Sequence, residues 1–169
     1  QAVNIPIVLY NVPGRTGSCI AWDLAIQLAK EHKNIVAIKE AGGSMEVFAN
    51  LLAHRPQGFN VYSGDDFLAS SANLLGADGC ISVIANVIPA EFHQLMKFSL
   101  DGDVVSTRKL FYKYKRIMDL MFVESNPIPV KTALALMGKV NEVFRSPLCT
   151  MEDATRKSLE NELKKLGLV

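Results

Sequence analysis

The sequence predicts an α/β protein built on parallel strands and followed by a purely helical segment. Four short apolar runs, at residues 5–10, 35–40, 59–63 and 79–84, have the length and composition of buried strands. A helical pattern follows each run, and this alternation indicates parallel strands joined by right-handed crossovers. From residue 101 onward the pattern contains no strand, which indicates a separate helical region.

The predicted helices rest on apolar residues at helical spacing and on residues suited to helix starts. Ser44 is a predicted N-cap, Asp65 and Asp66 are predicted to open and cap the next helix, and Pro89 suits the first turn of a helix. A turn is expected at NVPG, residues 11–14. The predicted helices cover residues 21–30, 44–54, 65–75, a segment that starts at 89, 101–121, 127–137 and 152–166.

The composition is that of a globular protein with one domain, or with a domain and an appendage. Of the 169 residues, 49% are hydrophobic and 21% are charged, and the formal net charge is +1. No basic run is long enough to follow a phosphate backbone, so nucleic acid is not an expected partner. No apolar stretch is long enough to span a membrane and no signal peptide is found, so we expect a cytoplasmic protein. Because the chain starts with Gln and reaches its first strand within four residues, we expect a fragment or a processed chain.

The three cysteines, Cys19, Cys80 and Cys149, are far apart and lack CxxC spacing or clustered histidines. This argues against a disulfide framework and against a zinc site. We therefore expect three small buried side chains and no bound metal.

Lys39 is the residue around which a candidate site is sought. It lies near the carboxyl end of the apolar run IVAIKE, residues 35–40. A buried ammonium is costly, so two interpretations stay open: Lys39 is solvated just past the strand, or it lies in a pocket and does chemistry. Period-two alternation places Lys39 on the face of Ala37 and Glu40 on the opposite face, so Glu40 is not the obvious counter-ion.

Polar residues and glycines collect at the carboxyl ends of the predicted strands, where functional groups of parallel α/β folds lie. Alternation lets Tyr10 and Lys39 converge at one end of the sheet. Burial lowers the pKa of a lysine, so that its free amine can attack a ketone. A tyrosine can relay the protons of that reaction, and an arginine such as Arg15 can bind a carboxylate. The residues at these strand ends are Tyr10, Asn11, Arg15, Lys39, Glu40, Ser63, Gly64, Asp65, Asp66, Ile81, Ser82 and Asn86.

Each of these residues also has a purely structural interpretation. Tyr10 could pack at a sheet end, and Arg15 could be an ordinary surface arginine. Asp65 and Asp66 suit a helix cap, and the nearby glycines could serve only tight turns.

Five segments together resemble the dihydrodipicolinate synthase family, whose members condense pyruvate with L-aspartate 4-semialdehyde in the biosynthesis of lysine and diaminopimelate. The segments are YNVPGRTG (10–17), IKEAGG (38–43), SGDD (63–66), GCISVIANV (79–87) and FVESNPIPVK (122–131). The resemblance implies a TIM (β/α)8 barrel followed by a three-helix domain, and a homotetramer. Since a whole barrel has eight strands in about 250 residues, the chain corresponds to the C-terminal half, with four βα units in residues 1–100 and the helical domain in residues 101–169.

The resemblance also implies roles for five residues. Lys39 would form a Schiff base with pyruvate, Tyr10 would belong to a proton relay, and Arg15 would bind the carboxylate of the aldehyde. Gly64 and Ile81 would line the pocket with backbone groups. The covalent adduct on Lys39 would take the place of a cofactor, and the product would be 4-hydroxy-tetrahydrodipicolinate.

Two alternatives stay open. One is another Schiff-base aldolase of the same superfamily, such as an N-acetylneuraminate lyase or a sugar-acid aldolase, although Arg15 in NVPGRTG favours the synthase. The other is a non-catalytic half-barrel that serves as an interaction module. Four strands of a barrel leave two open edges and part of the core exposed, so we expect the chain alone to be marginally stable or to associate, and to be inactive.

Overall fold

Three parallel strands form the sheet in the computed structural model, which describes residues 3–169. They are β1 (Ile7–Asn11), β2 (Ile35–Glu40) and β3 (Asn60–Ser63), with β2 in the centre. Each strand coincides with a predicted apolar run to within two residues, and β2 has the same bounds as its run. The parallel strands predicted from the alternating pattern are confirmed.

One face of the sheet carries the apolar core of this region. Ile38 of β2 pairs with Leu9 of β1 and with Val61 of β3, so the three side chains lie on the same face. Helices cover that face, and the buried cluster joins strand and helix residues. Its members are Ala25, Ile26, Ile38, Phe48, Leu51, Phe59, Val61, Ala72 and Ala77.

Helices connect the strands and form most of the chain after residue 100. The segment predicted as a turn at NVPG overlaps the first half of the short helix α1, which has Pro13 in its first turn and is capped by Gly17 in the left-handed conformation. The helix bounds are α1 (Pro13–Thr16), α2 (Trp22–Glu31), α3 (Met45–His54), α4 (Asp66–Leu74), α5 (Pro89–Leu100), α6 (Val104–Leu120), α7 (Ile128–Leu136) and α8 (Asp153–Lys165).

The predicted caps at Ser44 and Asp65 are confirmed, and Asp66 is the first residue of α4. The Ser44 hydroxyl accepts a hydrogen bond from the Val47 amide at 3.4 Å, at the start of α3. The Asp65 carboxylate accepts from the amides of Phe67 at 2.8 Å and Leu68 at 3.3 Å, at the start of α4. Each cap pairs a backbone donor that the helix itself leaves without a partner.

The strand predicted at residues 79–84 is largely wrong within the described residues. Its segment forms a single parallel bridge, between Cys80 and Ser63, and residues Ile84–Asn86 form a 3-10 turn. The Ser63 amide donates to the Gly79 carbonyl at 2.9 Å, and the Ile81 amide donates to the Ser63 carbonyl at 2.8 Å, after which the chain leaves the sheet. A short apolar run does not distinguish a strand from another buried segment, which explains the error.

The chain divides into two compact units. One contains the sheet and runs up to Ser82, together with Met96–Thr107, and the other contains Val83–Leu95 and Arg108–Val169. In the second unit α7 and α8 pack together. The predicted boundary after residue 100 stays a prediction. In the described part of the chain, no helix has both the length and the apolar character needed to cross a membrane.

Replacing Leu51 with Ala should destabilise the unit that contains the sheet. Leu51 lies on α3 and is completely buried in the core cluster, so the substitution should cost about 2–5 kcal/mol of unfolding free energy. Urea unfolding followed by the fluorescence of Trp22, the single tryptophan of the chain, measures this loss.

Leu24→Ala is the matched control, because Leu24 lies on the neighbouring helix α2 and is 45% exposed. We expect its effect to stay within about 0.5 kcal/mol. Equal losses in the two variants would contradict the core described above.

Candidate active site

Lys39 and Tyr10 lie side by side at the carboxyl ends of β2 and β1. The two residues are partners in the parallel register, so their side chains point to the same face. The Lys39 Nζ lies 4.2 Å from the centroid of the Tyr10 ring, a distance at which the ammonium is attracted by the ring face. Lys39 is half-buried and Tyr10 is 49% exposed. The predicted convergence of these two side chains is therefore confirmed.

Gly64 lies directly against the Lys39 side chain. A methyl group on Gly64 would lie 2.8 Å from Lys39 Cε and 2.8 Å from the Cβ of Ala41, closer than carbon atoms can approach. The Gly64 amide also donates to the Glu40 carbonyl at 2.7 Å. The absence of a side chain at this position thus leaves the space that Lys39 occupies.

Tyr62 is a neighbour of Lys39 that the sequence analysis missed. It is the register partner of Lys39 on β3, so the lysine lies between Tyr10 on one side and Tyr62 on the other along the same face. The sequence contained a signal for this placement. Tyr62 is the last residue but one of β3, as Tyr10 is of β1, so alternation places both tyrosines on the same face of the sheet. This face therefore presents a cation between two aromatic residues.

Arg15 and Ile81 lie in the segments beyond the carboxyl ends of β1 and β3. Arg15 lies on the short helix α1, five positions after Tyr10, and is exposed. Ile81 is 45% exposed, and its amide donates to the Ser63 carbonyl at the end of β3. The structure thus places Tyr10 and Gly64 each beside Lys39, while the roles of all five predicted residues stay predictions.

Glu40 faces away from Lys39, as the alternation predicts. Its carboxylate is buried on the helix-covered face and accepts hydrogen bonds from Asn11 Nδ2 at 2.8 Å and from the Gly42 amide at 2.5 Å. Asn11 is the register partner of Glu40 on β1 and is buried as well. The ends of β1 and β2 are therefore connected by side chains on both faces of the sheet, by Asn11 and Glu40 on one face and by Tyr10 and Lys39 on the other.

Cys80 follows β3 near this site and forms the bridge with Ser63. Burial, followed by the negative charge of Asp66, raises the pKa of Cys80 far above its usual range. The Cys80 Sγ lies 3.6 Å from Asp66 Oδ1, to which it donates. Cys19 and Cys149 are exposed and Cys80 is half-buried, so the expectation of three buried cysteines was wrong for Cys19 and Cys149 and holds only in part for Cys80. Within residues 3–169, no three side chains of the types His, Cys, Asp or Glu are grouped so that they could hold a metal ion.

Comparison with known proteins identifies the family of this site. A model of the dihydrodipicolinate synthetase family matches residues 1–166. The 4-hydroxy-tetrahydrodipicolinate synthase of Prosthecochloris aestuarii is 45% identical over 169 residues, which are 100% of this chain and 57% of that protein. The chain therefore spans a little over half the length of this relative.

Solved structures agree with the sequence comparison. Dihydrodipicolinate synthase from Aquifex aeolicus superposes with a TM-score of 0.96 at 40% identity, over 98% of this chain and 57% of that chain. A chloride-inhibited dihydrodipicolinate synthase from Acinetobacter baumannii, complexed with pyruvate, superposes with a TM-score of 0.95 at 41% identity, over 99% of this chain and 57% of that chain. These neighbours are TIM barrels, so the predicted half-barrel with a helical region is confirmed. The chain belongs to the dihydrodipicolinate synthetase family.

Proposed function

We propose that Lys39 forms a Schiff base with pyruvate, in an enzyme that condenses pyruvate with L-aspartate 4-semialdehyde to 4-hydroxy-tetrahydrodipicolinate. The observation that carries the proposal is the position of Lys39 Nζ over the Tyr10 ring at the carboxyl ends of parallel strands. The relative from Prosthecochloris aestuarii bears the name of this activity, and the structure from Acinetobacter baumannii contains pyruvate.

The reaction requires a free amine and a group that moves protons. The Lys39 nitrogen attacks the keto carbon of pyruvate, and the resulting carbinolamine loses water to form an imine. Loss of a proton from the methyl carbon gives an enamine, which attacks the aldehyde carbon of the second substrate, and the aldehyde oxygen takes up a proton. The amino group of that substrate then attacks the imine carbon, which closes the ring and releases Lys39 as a free amine. The Tyr10 ring lies beside Lys39, and in this scheme its hydroxyl exchanges protons at the carbinolamine oxygen.

The other three predicted residues complete the proposed site. Arg15 binds the carboxylate of the aldehyde substrate, for which the planar guanidinium is suited. Gly64 and Ile81 offer backbone groups to the bound pyruvate, and Gly64 leaves the space in which the Lys39 side chain lies. The covalent adduct serves in place of a cofactor. The family membership also supports a cytoplasmic homotetramer as the form of the whole enzyme.

Replacing Lys39 with Arg should abolish the trapping of pyruvate, because a guanidinium does not form a stable imine. Incubation of the chain with pyruvate and sodium borohydride should place a reduced pyruvate adduct on the wild-type peptide that contains Lys39. Peptide mass spectrometry measures the adduct. Lys33→Arg is the control, since Lys33 lies before β2 and is exposed. An adduct that is absent from Lys39, or spread equally over the lysines, would overturn the proposal.

Replacing Tyr10 with Phe should slow the trapping of pyruvate about 100-fold or more, because the ring stays beside Lys39 while the hydroxyl that moves protons is lost. The initial rate of adduct formation on Lys39 measures the effect. Tyr112→Phe removes a hydroxyl from a tyrosine that is 68% exposed on α6, and it should leave the rate unchanged. Equal rates in Tyr10→Phe and the wild type would show that another group moves the protons.

Replacing Gly64 with Ala should displace the Lys39 side chain and slow pyruvate trapping about tenfold to 100-fold. The backbone of Gly64 is not in the left-handed region, so the expected effect comes from the contact with Lys39 and Ala41. Gly14→Ala is the matched control, because a methyl group on Gly14 would meet no atom within 4 Å. Retention of the wild-type rate in Gly64→Ala, measured in the same assay, would refute this role of Gly64.

A further inference from the structure

The proposed chemistry leaves a buried carboxylate without a role. Glu40 is 1% exposed, and it lies on the face of the sheet opposite Lys39. An ionised carboxylate is costly to bury unless donors surround it, and here two donors do so: the Asn11 side-chain amide and the Gly42 backbone amide. An apolar residue on this helix-covered face would avoid that cost. The function of Glu40 is therefore sought in the two groups that donate hydrogen bonds to it.

Asn11 uses its side chain to close the loop that carries Arg15. Its Oδ1 accepts a hydrogen bond from the Ile20 amide at 2.9 Å, and its own amide group donates to Glu40. The intervening residues 12–19 form the excursion that contains α1 and Arg15. Asn11 is 2% exposed, so the hydrogen bonds at the base of this loop are shielded from water.

Glu40 determines which way the Asn11 amide points. A carboxylate only accepts hydrogen bonds, so it requires the NH2 group of Asn11 on its side and leaves the Asn11 oxygen for the Ile20 amide. The Glu40 carboxylate also accepts a hydrogen bond from the Gly42 amide. In addition, the backbone carbonyl of Asn11 accepts a hydrogen bond from the Ala41 amide at 2.9 Å. The loop after β1 and the loop after β2 are thus connected through one side-chain pair.

We propose that Glu40 and Asn11 are positioning residues, which hold the loop that carries Arg15 in place relative to the strand that carries Lys39. The inference rests on the proposed function, in which Arg15 binds the carboxylate of the aldehyde and Lys39 binds pyruvate. Neither Glu40 nor Asn11 touches substrate in this scheme. They determine the distance at which the two substrates meet.

An exchange of the two functional groups tests this coupling. Glu40→Gln alone places the NH2 group of the glutamine against a donor, and Asn11→Asp alone places two carboxylates side by side. In the double variant Asn11→Asp/Glu40→Gln every donor again meets an acceptor: the glutamine NH2 donates to Asp, the glutamine oxygen accepts from Gly42, and Asp accepts from Ile20. The buried charge is kept and only moves across the pair.

Amide hydrogen exchange at Ile20 and Gly42 is the primary measurement, because these amides donate directly to the pair. Each single variant should exchange about tenfold faster at both amides, the effect of losing a buried hydrogen bond. The double variant should return to within about threefold of the wild-type rate, because the two groups act as a unit. If a single variant does not fold, recovery of a folded chain in the double variant supports the proposal. Additive damage in the double variant would overturn it.

Glu31→Gln is the matched control. Glu31 accepts from Gln27 Nε2 at 2.8 Å in an exposed amide–carboxylate pair on α2, so the same chemical change is made outside the coupled loops. It should leave exchange at Ile20 and Gly42 unchanged. A rise in exchange at these amides in Glu31→Gln would show that loss of charge, and not loss of the pair, is responsible.

The kinetic measurement separates positioning from general stability. This turnover is measured in the whole enzyme, because the chain alone is expected to be inactive. With both substrates present, each single variant should raise KM for aspartate semialdehyde about tenfold, change KM for pyruvate less, and be rescued in the double variant. Equal changes in the two KM values would contradict the assignment to the Arg15 loop. A wild-type chain that traps no pyruvate on Lys39 would refute the proposed function, whereas the exchange rates would still decide whether the pair couples the loops.

Discussion

The parallel pairing of β1 with β2 is the constraint on which the candidate site depends. The register places Tyr10 beside Lys39 and Asn11 beside Glu40, so that one pair of strand ends presents the site on one face and the buried amide–carboxylate pair on the other. Because side chains alternate with a period of two, a shift by one residue would exchange the two faces. Lys39 would then lie among the apolar residues that the helices cover, and Glu40 would lie beside the ring of Tyr10. The packing of Ile38 against the core thus fixes the position of the site.

The two faces meet different requirements, and this explains the composition of the strand ends. On the helix-covered face, Ile38 and Val61 exclude water, so the polar atoms of Asn11 and Glu40 have to find partners within the protein. On the opposite face Lys39 is half-buried, and Tyr10 gives its ammonium an aromatic neighbour while part of the tyrosine stays exposed. A buried network that lacks one member is costly, which makes the helix-covered face intolerant of single polar changes.

Sequence reasoning predicted the parts of this arrangement that depend on local pattern. The strand IVAIKE, the caps Ser44 and Asp65 and the convergence of Tyr10 with Lys39 all follow from alternation or from the hydrogen bonding of a helix end. Contacts between segments distant in sequence could not be predicted in this way. The bond from Asn11 to Glu40 spans 29 positions, and its existence depends on the register of two strands, which neither strand encodes alone. The bridge at Cys80 depends likewise on how far that segment follows β3.

The glycines after the strand ends are required for different physical reasons, which the sequence motif alone does not distinguish. A tight turn accounts for Gly43, which has a φ of 81° and open space where a side chain would lie. It does not account for Gly42 or Gly64, for which no left-handed backbone is found. A methyl group on Gly42 would lie 2.6 Å from Glu40 Oε1, and one on Gly64 would lie 2.8 Å from Lys39 Cε. Gly42 leaves space for the Glu40 side chain on one face of β2, and Gly64 leaves space for the Lys39 side chain on the other. The two charged side chains of β2 therefore explain why glycine is present at both positions.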